Sequence, residues 1–248
     1  MNPITIILFA ALGWLLGALV NYLSDVLPET RRFTPALCPK CRARWSLIDY
    51  LLMVPCRACG KRRGVRAWVV QIAFVAMAAG AALYPPERTG TWATLALLVF
   101  FGVVAVIDIE HRIIMHPVSM VGAVLGGAVG IWLHGWLPTL IGGVAGFGIM
   151  FALYYLGALL ARWIGRLRKQ EIDEEALGFG DVTLSGVLGL LLGWPGIVAG
   201  LIYAVLLGGL VSLIVIAYQF AVRRYQAFQA IPYGPFLLIA AVILLFLQ

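Results

Sequence analysis

Two aspartates stand where apolar segments meet charged ones. Asp108 closes the apolar stretch "VVAVIDIEHR", and Asp181 opens another in "GFGD". An ionisable residue at the edge of a membrane segment is costly, so it indicates a function. Two carboxylates brought close together share a proton, so that one serves as general base toward water and the other as general acid. The residues alone leave a second interpretation open, in which each carboxylate caps a helix or pairs with Arg112.

Four cysteines form two C-x-x-C hooks, "CPKC" with Cys38 and Cys41 and "CRAC" with Cys56 and Cys59, and 14 residues separate the hooks. Two hooks at this spacing are typical of a tetrahedral thiolate site for Zn²⁺. Two disulfides or a redox pair remain alternatives, although a reducing cytoplasm disfavours stable disulfides. We expect one structural zinc ion that orders the surrounding loop.

The composition shows which elements must position these groups. The chain of 248 residues is 62% hydrophobic and 12% charged, whereas a soluble domain carries about 25% charged residues. Apolar segments of about 20 residues span a bilayer as helices. We predict an all-α polytopic membrane protein with about eight transmembrane helices and a small cytoplasmic zinc-ribbon-like loop. The predicted spans are 4–23, 68–84, 91–107, 118–133, 138–161, 182–195, 197–221 and 232–247.

The basic residues indicate the orientation. Of the 18 Lys and Arg residues, all except Arg88 fall in loops that this topology places on one side, and the positive-inside rule makes that side cytoplasmic. Topology and anionic lipid account for the net charge of +7, so no nucleic-acid partner is needed. We divide the chain into a first transmembrane helix (1–23), a cytoplasmic tetra-cysteine loop (24–67) and a membrane domain that carries both aspartates (68–248).

In this order the motifs resemble those of the bacterial type IV prepilin peptidases. The resemblance covers nearly the whole chain. It includes Asn21 in "GALVNYLSDVLP", the paired cysteine hooks, "IDIEHR", "GFGDVTLSGVLGLLLGWPG" and the terminal "IPYGPF" at 231–236. These enzymes are leader peptidases and N-methyltransferases, and they belong to the membrane aspartic peptidases of the G-x-G-D type. The resemblance implies that Asp108 and Asp181 are the catalytic pair.

The resemblance also implies a substrate and a place of action. The substrate would be a type IV pilin or pseudopilin precursor, cut at the cytoplasmic face of the bacterial inner membrane after a glycine that ends a short basic leader. We expect Gly178, Gly180 and Glu110 to contribute to substrate binding, together with an acidic stretch of Glu171, Asp173, Glu174 and Glu175. A solvated acidic loop that balances Arg166, Arg168 and Lys169 remains the alternative for this stretch. If methyl transfer is retained, the implied donor is S-adenosylmethionine, and loop 24–67 is the expected methyltransferase region.

Several residues depart from the family pattern. His116 and Pro117 stand where a Leu-Pro-Asp is usual, Thr183 replaces a lysine, and "VRAWVVQIAF" replaces a stretch with arginine and glutamate. The last departure bears on methyl transfer and not on peptide cleavage. The alternative functions are an intramembrane aspartic protease that does not act on pilins, a proton-coupled transporter, and a non-catalytic scaffold around the zinc loop.

Overall fold

The computed structural model describes residues 3–168, 178–222 and 232–246, and helices dominate this part of the chain. Their bounds are α1 Pro3–Thr30, α2 Leu47–Leu51, α3 Val65–Leu83, α4 Thr91–His111, α5 His116–His134, α6 Trp136–Arg168, α7 Phe179–Leu192, α8 Gly196–Ala221 and α9 Gly234–Phe246. Within the described residues the extended structure is limited to one bridge, between Leu37 and Arg44. The predicted all-α class is confirmed.

The eight predicted spans correspond to eight apolar helices of unequal length. Six are long enough to cross a membrane, namely α1, α3, α4, α5, α6 and α8, whereas α7 and α9 have 14 and 13 residues. A helix of 14 residues is about 21 Å long, which is less than the hydrocarbon thickness of about 30 Å. Helix α7 contacts α5, α6, α8 and α9, and most of its residues are buried. Its apolar sequence therefore reflects enclosure by protein.

The chain divides into two compact units, Met1–Ile107 and Asp108–Gln248. In the first unit α1 packs along α3. A Cβ atom added to Gly13 would lie 2.5 Å from the Phe74 carbonyl oxygen, so glycine is what permits this close approach. The side-chain amide of Asn21 donates to the Ala67 carbonyl at 3.0 Å. Interhelical hydrogen bonds of this kind fix the register of membrane helices.

In the second unit the glycines of α6 and α7 bring the two helices together. A Cβ atom at Gly142 would lie 2.4 Å from the Gly189 carbonyl oxygen, and one at Gly146 would lie 2.4 Å from the Ser185 carbonyl oxygen. Such contacts are possible only without a side chain, which matches the role of small residues in membrane helix packing.

Candidate active site and metal centre

Asp108 lies in the last turn of α4, and its side chain is buried. The helix ends at His111, and Arg112 adopts a left-handed φ of 54° while its N–H donates to the Asp108 carbonyl at 2.8 Å. A left-handed residue directly after a helix is a common C-terminal cap. The cap turns the chain sharply just beyond the aspartate.

Asp181 lies in the first turn of α7, after an N-cap at Gly178, and it is also buried. Its N–H donates to the Gly178 carbonyl at 3.1 Å. The next residues tighten this turn, since the Thr183 hydroxyl donates to the Gly180 carbonyl and the Ser185 hydroxyl to the Asp181 carbonyl, each at 2.8 Å. The side chain of Asp181 is therefore held at a well-defined helix start.

Gly180 brings the two aspartate-bearing segments together. A Cβ atom at this position would lie 2.8 Å from Cβ of Ile114 and 3.4 Å from its backbone nitrogen. Ile114 belongs to the turn between α4 and α5, directly after Asp108. A larger residue at position 180 would push the start of α7 away from this turn, so the second glycine of "GFGD" has a packing role.

The two carboxylates interact electrostatically with each other. Among the described residues neither takes part in an ion pair, and those found join Asp25 and Asp49 to arginines of the first unit. The alternative in which Arg112 neutralises Asp108 is therefore not what this structure contains. Oδ2 of Asp108 is buried and has no hydrogen-bond partner in the described part of the chain. A buried acceptor of this kind is uncommon and is a place for a proton or a water molecule.

Two residues beside this pair were not singled out as site residues from the sequence. A Cβ atom at Gly234 would lie 2.5 Å from Oδ2 of Asp108, so the first residue of α9 touches the carboxylate. The phenol of Tyr233 is half-buried and within electrostatic range of Asp181. Both residues belong to "IPYGPF", and the combination of Tyr and Gly in a polar interruption before an apolar helix was the available signal.

The other residues expected to bind substrate lie close to the two aspartates in sequence. Glu110 and Gly178 are exposed at the end of α4 and at the start of α7. A Cβ atom at Gly178 would lie 3.6 Å from Oδ2 of Asp181, which is ordinary contact. The acidic stretch from Glu171 to Glu175 lies outside the described residues, and so does Ile231 of "IPYGPF". The substrate-binding role of these residues stays a prediction.

The four cysteines converge in the first unit. All four Sγ atoms lie within 4.8 Å of one another, with Cys38 and Cys59 at 3.6 Å and Cys41 and Cys56 at 3.6 Å. A tetrahedron of thiolates around zinc, with Zn–S distances of about 2.3 Å, has edges of about 3.8 Å. Disulfide sulfurs would be about 2.05 Å apart. The four thiols are free, and their arrangement fits a metal ion such as zinc.

Each hook is closed by a matching turn. The N–H of Cys38 donates to Ala43 and that of Cys56 to Lys61, both at 2.9 Å. The residue after each second cysteine, Arg42 or Gly60, has a left-handed φ of 60° or 68°. The N–H groups of Arg42 and Gly60 donate to the carbonyl oxygens of Cys38 and Cys56 at 2.9 Å and 2.8 Å, which closes the turn of each hook.

The backbone amides of the hooks stabilise thiolates. The backbone amide of Cys41 is the main cause that lowers the pKa of the Cys38 thiol. Burial alone would raise the pKa of Cys56, but the amides of Ala58 and Cys59 and the neighbouring thiols lower the pKa to about 6. Since zinc binds thiolates, these amides favour metal binding.

Comparisons with known proteins agree with these arrangements. Residues 95–213 match the model of the type IV leader peptidase family. A "Prepilin leader peptidase/N-methyltransferase" of Pseudomonas putida is 28% identical over 221 residues, which cover 82% of this chain and 68% of the relative. The protein of the same name from Pectobacterium carotovorum subsp. carotovorum is 27% identical, and the match covers 87% of this chain and 76% of the relative. The one from Aeromonas salmonicida is 24% identical, and the match covers 82% of this chain and 68% of the relative. No solved structure matches the chain. The chain is thus a multi-pass membrane protein, and it is similar to the type IV leader peptidase family.

Proposed function

We propose that this protein is a prepilin leader peptidase, which removes the basic leader of type IV pilin or pseudopilin precursors at the cytoplasmic face of the bacterial inner membrane. The observation that carries the proposal is the pair of buried carboxylates, Asp108 and Asp181, whose segments meet where Gly180 approaches Ile114, in a chain whose relatives are named for this activity.

The pair provides what peptide hydrolysis requires. One carboxylate takes a proton from water while the water oxygen attacks the scissile carbonyl carbon, and the protonated partner donates to the carbonyl oxygen. When the tetrahedral intermediate collapses, the carbon–nitrogen bond breaks, the leaving amine takes the proton that the general base had received, and a hydroxyl of the intermediate returns a proton to the other carboxylate. The pair thus returns to one shared proton after each turnover.

Both carboxylates lie near positive helix ends. Asp181 lies at the start of α7, and the carboxylate of Asp108, at the end of α4, touches Gly234 at the start of α9. Either carboxylate can therefore hold the negative charge of the pair as general base while the other carries the proton as general acid.

We infer substrate recognition from the acidic residues near the aspartate pair in the sequence and from the glycines at the start of α7. Glu110, exposed at the end of α4, and the acidic residues of 171–175 provide negative charge that attracts a basic leader. Gly178 and Gly180 keep the start of α7 free of side chains, which permits a substrate strand to approach the backbone.

N-methylation of the new N-terminus is the second candidate activity. It is favoured by the names of the relatives, which join both activities. We assign it to the tetra-cysteine loop, with Cys38, Cys41, Cys56 and Cys59 holding one structural Zn²⁺. S-adenosylmethionine would supply the methyl group. A four-thiolate zinc site has no open coordination position, so its role there is to keep the loop folded.

The test is cleavage of a matched prepilin by full-length protein, followed by mass measurement of the product. We expect Asp108→Asn and Asp181→Asn each to lower the cleavage rate by about 10²–10⁴-fold or more, because loss of either acid removes the shared proton. Glu87→Gln is the matched control, since Glu87 is an exposed carboxylate in the loop between α3 and α4. An added mass of one methyl group would establish the second activity.

Two results would count against the proposal. Full cleavage by Asp108→Asn would leave only a scaffold or packing role for that residue. An uncut precursor with well-folded wild-type enzyme would favour an intramembrane protease with another substrate, and proton uptake coupled to solute movement would favour a transporter.

A further inference from the structure

The tetra-cysteine loop contains a buried arginine whose charge has no role in metal binding. Its guanidinium carbon lies 3.5 Å from the ring centre of Trp45 and 3.6 Å from that of Tyr50, so the cation is held between two aromatic faces. The side chain of this arginine, Arg63, is only 4% exposed. We refer to Asp25, Trp45, Tyr50, Arg63 and Arg66 together as the Arg63 cluster.

One edge of the Arg63 guanidinium makes a hydrogen bond, and another edge makes none among the described residues. Nη1 of Arg63 donates to the Asp25 carboxylate at 3.3 Å. Nε and Nη2 are buried and have no acceptor among the described residues. These two nitrogens form the side of the guanidinium that binds two oxygens of one anion at once.

A third donor lies beside this edge. The indole Nε1 of Trp45 is buried and likewise has no acceptor in the described part of the chain. The guanidinium carbon lies 3.5 Å from the centre of the indole ring, so this N–H is close to the guanidinium. A tetrahedral phosphate has enough oxygens to accept from the guanidinium edge with two and from the indole N–H with a third, whereas a carboxylate has only two oxygens.

The charges of the cluster also favour an anion. Asp25 is shared by two arginines, Arg63 and Arg66, so the cluster holds two cations and one carboxylate. The Tyr50 hydroxyl donates to Asp25 at 2.6 Å, and burial together with the Asp25 charge raises the pKa of Tyr50, which stays neutral. The nearby carboxylate of Asp49 pairs with Arg57 instead.

We propose that the Arg63 cluster binds a phosphate group through Nε and Nη2 of Arg63 and Nε1 of Trp45. Asp25 lies in the last turns of α1 and Arg63 directly before α3, and both helices are long and apolar enough to cross a membrane. The cluster is therefore at the membrane border, where the phosphodiester of an anionic phospholipid is the available phosphate. This site is separate from the aspartate pair and does not depend on peptidase activity.

The experiment uses the full chain in nanodiscs of phosphatidylcholine that contain a small fraction of phosphatidylglycerol. Lipids that stay bound after extraction into detergent are identified by native mass spectrometry. We expect wild-type protein to retain phosphatidylglycerol selectively and Arg63→Gln to bind it about tenfold or more weakly, as loss of a charged hydrogen-bonding group predicts. Arg62→Gln is the control, because it removes the same charge from an exposed neighbour.

Two further variants test the geometry while keeping the cluster packed. Arg63→Lys keeps the positive charge without the two-nitrogen edge, and Trp45→Phe keeps an aromatic ring without the N–H. We expect both to weaken retention of phosphatidylglycerol while the melting temperature and the bound metal stay near wild type. Unchanged retention in Arg63→Gln, or an equal loss in Arg62→Gln, would overturn the proposal.

A second arm separates lipid from a soluble source. Inorganic phosphate is titrated into protein in pure phosphatidylcholine nanodiscs, with thermal unfolding as the readout. Stabilisation by phosphate that Arg63→Gln abolishes would support the site and assign it to a soluble phosphate compound. Absence of both lipid retention and phosphate stabilisation would refute it.

Discussion

A methyl group added at Gly234 would lie 2.5 Å from Oδ2 of Asp108, which is closer than any unstrained contact. The atom it meets is the end of a side chain, so the carboxylate moves and the backbone does not have to. At the residue scale the candidate site therefore depends on two positions that have no side chain. Gly234 leaves room for the carboxylate of Asp108, and Gly180 leaves room for Ile114.

We expect Gly234→Ala to lower kcat of prepilin cleavage, with a smaller change in KM and in melting temperature. A displacement of about 1 Å at a catalytic group can cost about 100-fold in rate. Gly209→Ala is the matched control, since Gly209 in α8 has no atom within 4 Å of an added Cβ. Equal kcat values for the two variants would show that Asp108 needs no fixed position.

The cysteine hooks predict how metal binding depends on pH. The unfolded thiol has a pKa of about 8.5, whereas the folded protein lowers the pKa of Cys56 to about 6. The stabilising thiolate is thus fully present above the unfolded pKa and is lost as the pH falls through the folded pKa. Bound zinc competes with protons, so we expect metal content to stay constant from neutral to alkaline pH and to fall below a pH of about 6.

Elemental analysis of protein dialysed over a pH series provides the measurement. Cys56→Ser should hold less metal at every pH, because one of the four ligands is then absent. Two disulfides in place of metal, in protein kept under reducing conditions, would contradict the zinc assignment.

At the scale of whole helices, the second unit is organised around the short helix α7. Its contacts with four other helices place Asp181 at one end of a buried element, where the surroundings are protein. The close approach of α6 depends on Gly142 and Gly189, whose added Cβ atoms would lie 2.4 Å and 2.2 Å from backbone oxygens across the interface. Backbone atoms at such an interface cannot give way as a side chain can.

We expect Gly142→Ala to destabilise the protein by about 1–3 kcal/mol through overpacking. Gly148→Ala in the same helix has open space around the new methyl group. It should be neutral or stabilising by about 0.5–1 kcal/mol, because alanine favours helix more than glycine. Unfolding of both variants in the same detergent, followed by circular dichroism, distinguishes the two outcomes.

At the scale of the whole molecule, the membrane orientation follows from the basic residues and not from any single contact. The orientation can be measured with variants that lack the four native cysteines and carry one new cysteine each. We expect residues of the 24–67 loop to react with a membrane-impermeant thiol reagent only after the cells are opened. A cysteine in place of Arg88 should react in intact spheroplasts. The reverse pattern would contradict a cytoplasmic active site.

The metal site belongs to the first unit and the aspartate pair to the second, so we predict that a chelator affects the two activities differently. Removing zinc should loosen residues 24–67 and reduce methyl transfer more than it reduces cleavage. The measurement is the ratio of methylated to unmethylated product after chelation, with re-added zinc as the control. Equal loss of both activities would mean that the loop also supports the aspartate pair.

The helices and the cysteine site could be predicted from the sequence, because a lipid bilayer and a zinc ion each require particular residue types at particular spacings. Backbone groups in a bilayer must bond within their own segment, so apolar runs predicted helices, and the spacing of Cys38, Cys41, Cys56 and Cys59 predicted a thiolate cluster. The motifs predicted a resemblance to the type IV leader peptidase family, and the comparisons confirm that resemblance.

Only the tertiary structure decided which long-range contacts surround these groups. It places Gly234, which is 126 residues beyond Asp108, against that carboxylate. It encloses α7 in protein although its sequence resembles a membrane span. It also places the Arg63 guanidinium over the rings of Trp45 and Tyr50, a contact that the charge pattern of the loop does not specify. Apolar and charged patterns specify the solvent that a segment prefers, whereas its neighbours depend on how surfaces from distant parts of the chain fit together.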